Sequence, residues 1–267
     1  MTELDSQDLR WSLRRCPRQV LQLLKEKSGT TFVGGGFVRA VVANEDVNDV
    51  DIFVGGKAEA REAAVFIQSK ADSAKLHETD NAFTVYGGSL RLPVQIIHRW
   101  AYKTAEELMR SFDFTVAMAG FWWDATRESG SRVLRQDEQG GPVYEPRREP
   151  GWRSICDSRF YPDLAAKRLR YTSPIRQEDA GGSMLRVLKF YQKGYRIPLD
   201  SLGAVVARLA SATDAAKLLA GREPDREAQL SKVFTGLLRE VDPNIDPSHI
   251  AHLPADADEP TNEEGEA

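Results

Sequence analysis

The chain has 267 residues, 41% of them hydrophobic, enough to bury the core of one large domain or two modest ones and too many for a wholly disordered polymer. No apolar run approaches the ~20 residues that span a bilayer, and the opening MTELDSQDLRW is too polar for a signal peptide, so a cytoplasmic location is expected. The formal net charge of −4 is uneven: residues 251–267 hold six acids and no Lys or Arg, which leaves the preceding residues at about +2.

In chain order, residues 17–27 place Val20, Leu21, Leu23 and Leu24 at near-helical spacing behind Pro17 and predict a short leading helix. Thr30 to Val33 is β-branched and aromatic, a strand that runs into Gly34-Gly35-Gly36, and a helix carrying Arg39 follows. The chain returns on Asp49-Val50-Asp51-Ile52-Phe53. Side chains two apart on a strand share a face, so Asp49 and Asp51 project together. Paired carboxylates suit Mg²⁺ (or Mn²⁺), a cation that commonly shares its carboxylates with substrate phosphates, and this predicts a nucleotide nearby. Gly35 and Gly36, lacking Cβ, would let backbone approach a triphosphate at the start of the helix.

Beyond Phe53, Lys57 to Lys70 has helical spacing. Three β-like runs follow, Ala74 to His77, Ala82 to Tyr86 and Leu90 to Ile97, with a tight turn at Gly87-Gly88. Hairpins of this kind imply a mixed or largely antiparallel sheet. Phe121 to Asp124 and Arg132 to Arg135 flank a polar turn and are expected to pair as an edge hairpin. Residues 136–150 are polar and rich in Gly and Pro and read as the exit from the first domain. Helical patterns occupy Tyr161 to Arg170, Gly182 to Lys193 with Gly194 as a stop, Leu199 to Leu219 and Arg226 to Val241. The acidic, proline-containing end reads as a mobile tail. The expected organisation is a helical segment over 1–27, a head domain over 28–145, a small helical domain over 146–245 and a disordered tail over 246–267. Cys16 and Cys156 have no CxxC spacing and are expected as reduced thiols, with no structural zinc.

Between Arg147 and Arg176 eight Lys or Arg face three acids, with Trp152, Phe160, Tyr161 and Tyr171 interleaved. Such a stretch either tracks a nucleic-acid backbone and stacks bases or is a solvated face between helices.

The residues Gly35-Gly36-Phe37-Val38-Arg39, a spacer, and Asp49-x-Asp51 resemble the nucleotidyltransferase superfamily. More narrowly, they resemble the head of bacterial-type CCA-adding enzymes and poly(A) polymerases, with Ala40 where those enzymes have aspartate. The resemblance implies an α+β fold: a nucleotidyltransferase-like head whose mixed sheet is flanked by helices, followed by a small helical domain. It implies Asp49 and Asp51 as metal-binding catalytic residues, and Gly35, Gly36 and Arg39 on the nucleotide phosphates. Gln95 stands where a third acid is usual; an amide can ligate weakly but brings no charge. Phe112-Asp113-Phe114-Thr115 resembles the segment whose aspartate helps hold the nucleotide sugar, so Asp113 joins the nucleotide-binding candidates. Glu178-Asp179 and Leu185 to Ile197 resemble the base-selecting region, but Ala180, Gly181 and Gly182 interrupt it, and no base preference carries over.

The expected function is metal-dependent transfer of a nucleoside monophosphate from an NTP to an acceptor hydroxyl, an RNA 3′ end, with RNA or tRNA received on residues 147–176. The alternatives are a toxin or defence-type nucleotidyltransferase that modifies tRNA or protein, and a non-catalytic NTP- or RNA-binding module.

Overall fold

The structure, a computed structural model, describes residues 1–126, 128–136, 139, 141–172, 174, 180–211, 228 and 231. The Glu178-Asp179 pair, the expected tail over 246–267 and, apart from residues 228 and 231, the expected helix over 226–241 lie outside the described residues. The chain divides into two units, Met1–Ile175 with Phe190–Leu202 and Arg176–Lys189 with Gly203–Ala267, and the groups discussed below all belong to the first.

Helix α1 (Ser6–Arg15) starts behind Asp5, whose carboxylate accepts the amide of Gln7 at 2.7 Å. Helix α2 (Arg18–Glu26) follows Pro17 and buries Val20, Leu23 and Leu24, as the apolar spacing predicts. Then come β1 (Phe32–Gly34), α3 (Gly36–Val42), β2 (Val50–Phe53), α4 (Lys57–Ser69), β3 (Lys75–Glu78), β4 (Ala82–Tyr86) and β5 (Val94–Ile97). Helix α5 (Ala105–Arg110), β6 (Ala119–Asp124), β7 (Glu128–Gln136), β8 (Pro142–Arg148), β9 (Gly151–Cys156), α6 (Phe160–Ala165), α7 (Ala180–Gln192) and α8 (Leu199–Ser211) complete the described elements.

Seven strands form one mixed sheet in the order β3-β4-β5-β2-β1-β6-β9. Only the β2–β5 pair is parallel; the other neighbours are antiparallel. Helices flank the sheet, and the α+β class expected from the sequence is the class observed. Cys16 and Cys156 are free and buried, and burial raises both thiols above the usual range, so they are neutral.

Strand alternation separates the two faces. Val50, Ile52, Val94, Ile96, Phe83 and Val85 are all fully buried on one of them. Helix α4 packs on this face, burying Ala60, Ala63, Ala64 and Ile67, and small alanines let helix and sheet approach closely. On the other face Phe32 and Phe53 cluster with Ala105, Leu108, Met109 and Met118. Truncating a buried phenylalanine such as Phe53 costs about 3–5 kcal/mol. Asp51 and Gln95 stand two residues from Phe53 and Ile97 on their strands and therefore lie on this second face, at the border of its apolar cluster.

The hairpin expected between Phe121 to Asp124 and Arg132 to Arg135 does not form. The first run lies in β6, which pairs with β9 from Ala119↔Cys156 to Asp124↔Gly151; the second lies in β7, which pairs with β8 in a separate two-stranded sheet. The physical reason is burial: Phe121 is fully buried between β1 and β9, and a local hairpin would leave it exposed. Residues 151–156 thus belong to the same sheet as the glycine turn.

Candidate functional site

The site is organised by register. Gly34 pairs with Asp51 across the antiparallel β1–β2 ladder, and Asp51 pairs with Gln95 across the parallel β2–β5 ladder. Gly34 has no side chain to crowd the carboxylate opposite it, and Gln95 sets a neutral amide beside it on the same face. Asp49 stands immediately ahead of the first ladder residue, Val50, whose amide donates to the carbonyl of Pro93 at 2.9 Å. Both aspartates are half-buried.

After β1 the chain turns at Gly35 with φ +78° and ψ −136°, a conformation that side chains rarely adopt. A Cβ at Gly35 would lie 3.3 Å from the Phe112 ring and 3.6 Å from Asp51 Oδ2. The turn and the carboxylate are therefore in immediate proximity, although 16 residues separate them in the chain. The Gly35 amide donates to the carbonyl of Ala119 at 3.2 Å, so backbone donation toward a ligand falls to Gly36 and the first turn of α3, whose amides have no partner within the helix. The Phe112 ring also packs edge-on against Phe53, 5.8 Å between centroids.

Arg39 is 7% exposed on α3, and the structure gives it partners from the protein. Its Nε lies 3.4 Å from Glu45 Oε2 and its guanidinium sits 4.7 Å from the centroid of Phe190. Glu45 in turn accepts the hydroxyl of Tyr195 on Oε1 at 2.9 Å, and its own amide donates to the carbonyl of Ala40 at 2.8 Å. Burial and the adjacent Glu45 carboxylate raise the Tyr195 phenol well above its usual range. Lys193, between Phe190 and Tyr195, is drawn downward by partial burial and by Arg39, against the opposing pull of Glu45, Asp46 and Asp49. The sequence reading missed Glu45, Lys193 and Tyr195. The only signal for Glu45 was Ala40, which leaves Arg39 without the carboxylate that follows it in the resembled motif.

Asp113 is 4% exposed and follows Phe112. Its carbonyl accepts the amide of Thr172 at 2.9 Å, while the Thr172 hydroxyl donates to the carbonyl of Phe112 at 2.6 Å, so the segment beside Gly35 is held by a distant strand-like stretch. Below it Asp163, fully buried, accepts the Thr115 hydroxyl at 2.8 Å and faces Arg168 at 3.6 Å and Arg170 at 3.7 Å. Two arginines of the basic stretch thus face one buried carboxylate, while their own side chains stay 44% and 31% exposed. Among the aromatics of this stretch, Phe160 is fully buried, Tyr171 lies against Phe114, and Trp152 contacts Trp123 and Phe121 edge-on. Tyr161 donates to Asp8 at 2.8 Å and accepts the amide of Asp5 at 2.9 Å.

Among the described residues no group of three or more His, Cys, Asp or Glu is gathered as a metal-ligand set. Asp49 and Asp51 fit Mg²⁺ in its common mode, in which one or two carboxylates share the ion with substrate phosphates and water. Glycine at position 35 leaves the space next to Asp51 Oδ2 without a side chain of its own. Among the described residues no helix is long and apolar enough to cross a membrane.

Among solved structures, the chain is similar to the Thermotoga maritima CCA-adding enzyme in complex with tRNA, at 19% identity and a TM-score of 0.48, over 90% of this chain and 57% of that one. It is also similar to a tRNA-processing enzyme in an apo form, at 18% identity and a TM-score of 0.48, over 92% and 60%. "Gabija anti-defense 2" of Bacillus phage SPbetaL7 is 27% identical over 122 residues, 42% of this chain and 30% of that protein. The chain matches less than two thirds of the length of each of these relatives. A family model described as Gabija anti-defense 2 family protein matches residues 4–167, which take in the glycine turn, both aspartates, Gln95, Asp113 and Asp163, and the chain belongs to the Gabija anti-defense 2 family.

Proposed function

We propose that this chain is a nucleotidyltransferase that acts against Gabija defence by moving a nucleoside monophosphate from an NTP onto an acceptor hydroxyl of RNA or protein. The observation that carries this reading is the proximity of Asp51 Oδ2 to the Gly35 turn, in register with Gly34 and Gln95. In the transfer the acceptor oxygen bonds to the α-phosphorus, the α–β bridging P–O bond breaks with its electron pair leaving on pyrophosphate, and the acceptor proton passes to solvent. Asp49 and Asp51 would hold the metal ion, Gly35 and Gly36 would keep the phosphate path clear of side chains, and the opening turn of α3 would offer its amides to the phosphates. A bound Mg²⁺ or Mn²⁺ would supply charge stabilisation at the reacting phosphoryl group. Arg39, restrained by Glu45 and Phe190, brings positive charge to the same end of α3, and Asp113 would approach the sugar. A cytoplasmic place of action goes with the NTP substrate.

The family name supports a defence-related acceptor rather than RNA 3′ ends in general. The burial of Phe160 and Tyr171 supports the same shift, since these two rings are not free to stack bases. A second reading, a non-catalytic NTP-binding module, is favoured by Gln95, which adds no charge to the Asp51 site.

Incubation of the purified protein with each α-labelled NTP, Mg²⁺ or Mn²⁺, and extract of cells with and without Gabija separates these readings. Label moving onto RNA or protein, abolished by Asp49→Ala with Asp51→Ala, supports transfer. Metal-dependent NTP binding without pyrophosphate release supports the module, and neither binding nor transfer would sink both.

A further inference from the structure

At the corner between α1 and α2 lies a half-open cavity of about 480 Å³, away from the aspartates, with exposed Arg14, Arg18 and Arg91 at its rim. Helix α2 packs on α4, and α4 covers the sheet face opposite to the one that carries Asp51 and Gln95. Arg14, Arg18 and Arg91 line the cavity with Ser89, and no carboxylate is among its lining residues. Cations collected at a concavity raise the local positive potential and draw in multiply charged anions. The guanidinium fork matches two phosphate oxygens at once.

The walls are held in place by one short segment. Gln19 Nε2 donates to the carbonyl of Lys70 at 3.3 Å, and the amide of Ser89 donates to the carbonyl of Asp72 at 3.1 Å. Gly88, at φ +60°, packs so tightly on that Asp72 carbonyl that a Cβ has no room. The turn bearing Ser89 and Arg91 is thus fixed relative to α2. Pro17 gives α2 no side-chain cap, and the amides of Arg18 and Gln19 open its first turn without partners in the helix. The floor is apolar, with buried Cys16 and Pro17 and half-buried Leu13 and Leu21. A cavity of this volume falls within the roughly 300–1,000 Å³ typical of small-molecule sites.

We propose that this cavity binds a phosphorylated ligand of nucleotide size, its phosphate between Arg14, Arg18 and Arg91 and its sugar or base against the apolar floor, at a site separate from Asp49 and Asp51. The same chemistry is offered by a free nucleotide and by the terminal phosphate of an oligonucleotide.

The test uses the full chain carrying Asp49→Ala and Asp51→Ala, titrated calorimetrically without divalent metal. The probes are ATP, a 5′-phosphorylated oligoribonucleotide and its unphosphorylated counterpart. Adding Arg14→Ala and Arg91→Ala is expected to weaken binding of the phosphorylated probe roughly tenfold to a hundredfold with an unchanged melting temperature, as the loss of charge-assisted hydrogen bonds predicts. ATP binding more tightly than either oligonucleotide assigns the free nucleotide; preference for the phosphorylated over the unphosphorylated oligonucleotide, with weaker ATP, assigns the chain end. Binding that is indifferent to the arginine substitutions, or no binding of either phosphorylated probe, overturns the proposal. The readout is independent of transfer activity, so failure of one site does not obscure the other.

Discussion

Glu45 pairs with Arg39 across 3.4 Å while its own amide donates to the carbonyl of Ala40, the residue next to that arginine. The carboxylate that the chain lacks at position 40 is thus supplied from the loop after α3. Both side chains are largely withdrawn from water, at 9% and 15% exposure, so loss of either partner leaves a poorly solvated charge.

Glu45→Gln keeps an acceptor for Tyr195 but removes the charge opposite Arg39. We expect a loss of about 3 kcal/mol in urea unfolding, the low end for breaking a buried pair, because some exposure remains. NTP affinity should fall with it, since Arg39 is no longer held in place. Unchanged unfolding midpoint and NTP affinity would show that the pair contributes nothing.

Tyr195→Phe removes the hydrogen bond to Glu45, and about 1.5–3 kcal/mol is the usual magnitude for a bond to a charged group. The pH dependence follows from linkage. The folded phenol is raised above its unfolded value of about 10, so at higher pH the folded state binds more protons and stability falls as pH rises. The contribution is complete below that value. The alkaline fall should be shallower in Tyr195→Phe than in the parent chain but not absent, because Tyr161 and Cys16 are raised as well. Parallel alkaline unfolding curves for the two chains would remove Tyr195 from this account.

Gly35→Ala places a Cβ on a backbone at φ +78°, 3.3 Å from Phe112 and 3.6 Å from Asp51 Oδ2. Backbone strain of this kind costs about 1–3 kcal/mol, and nucleotide binding should weaken further than the stability loss alone explains. Gly36→Ala meets only Arg39 Nη2 at 4.0 Å and is expected to leave the melting temperature unchanged. Thermal melting and NTP titration of both variants check this, and equal effects at the two positions would contradict it.

Gln95→Glu sets a second carboxylate directly beside Asp51 in the β2–β5 register. Without metal this like-charge neighbour should cost about 0.2–1 kcal/mol. With Mg²⁺ present the sign should reverse, since the added charge binds the ion. Melting curves with and without Mg²⁺ give the comparison, and metal-independent destabilisation would place Gln95 outside any metal site.

Local pattern alone determined the order of helices and strands from Arg18 to Ile97 and the placing, after a glycine turn, of a strand that carries Asp51 with Asp49 just ahead of it. Helical spacing, strand alternation and the conformational freedom of glycine act over a few residues and can be read without knowing the fold. Only the tertiary structure decided that β6 pairs with β9 rather than with residues 132–135, because burial of Phe121 outweighs a short-range hairpin. It likewise decided that Arg39 meets Glu45, that Glu45 meets Tyr195 at a sequence separation of 150 residues, and that Phe160 and Tyr171 are buried. Partners of buried charges and rings are chosen by which surfaces the folded chain withdraws from water, and residue spacing does not encode that choice.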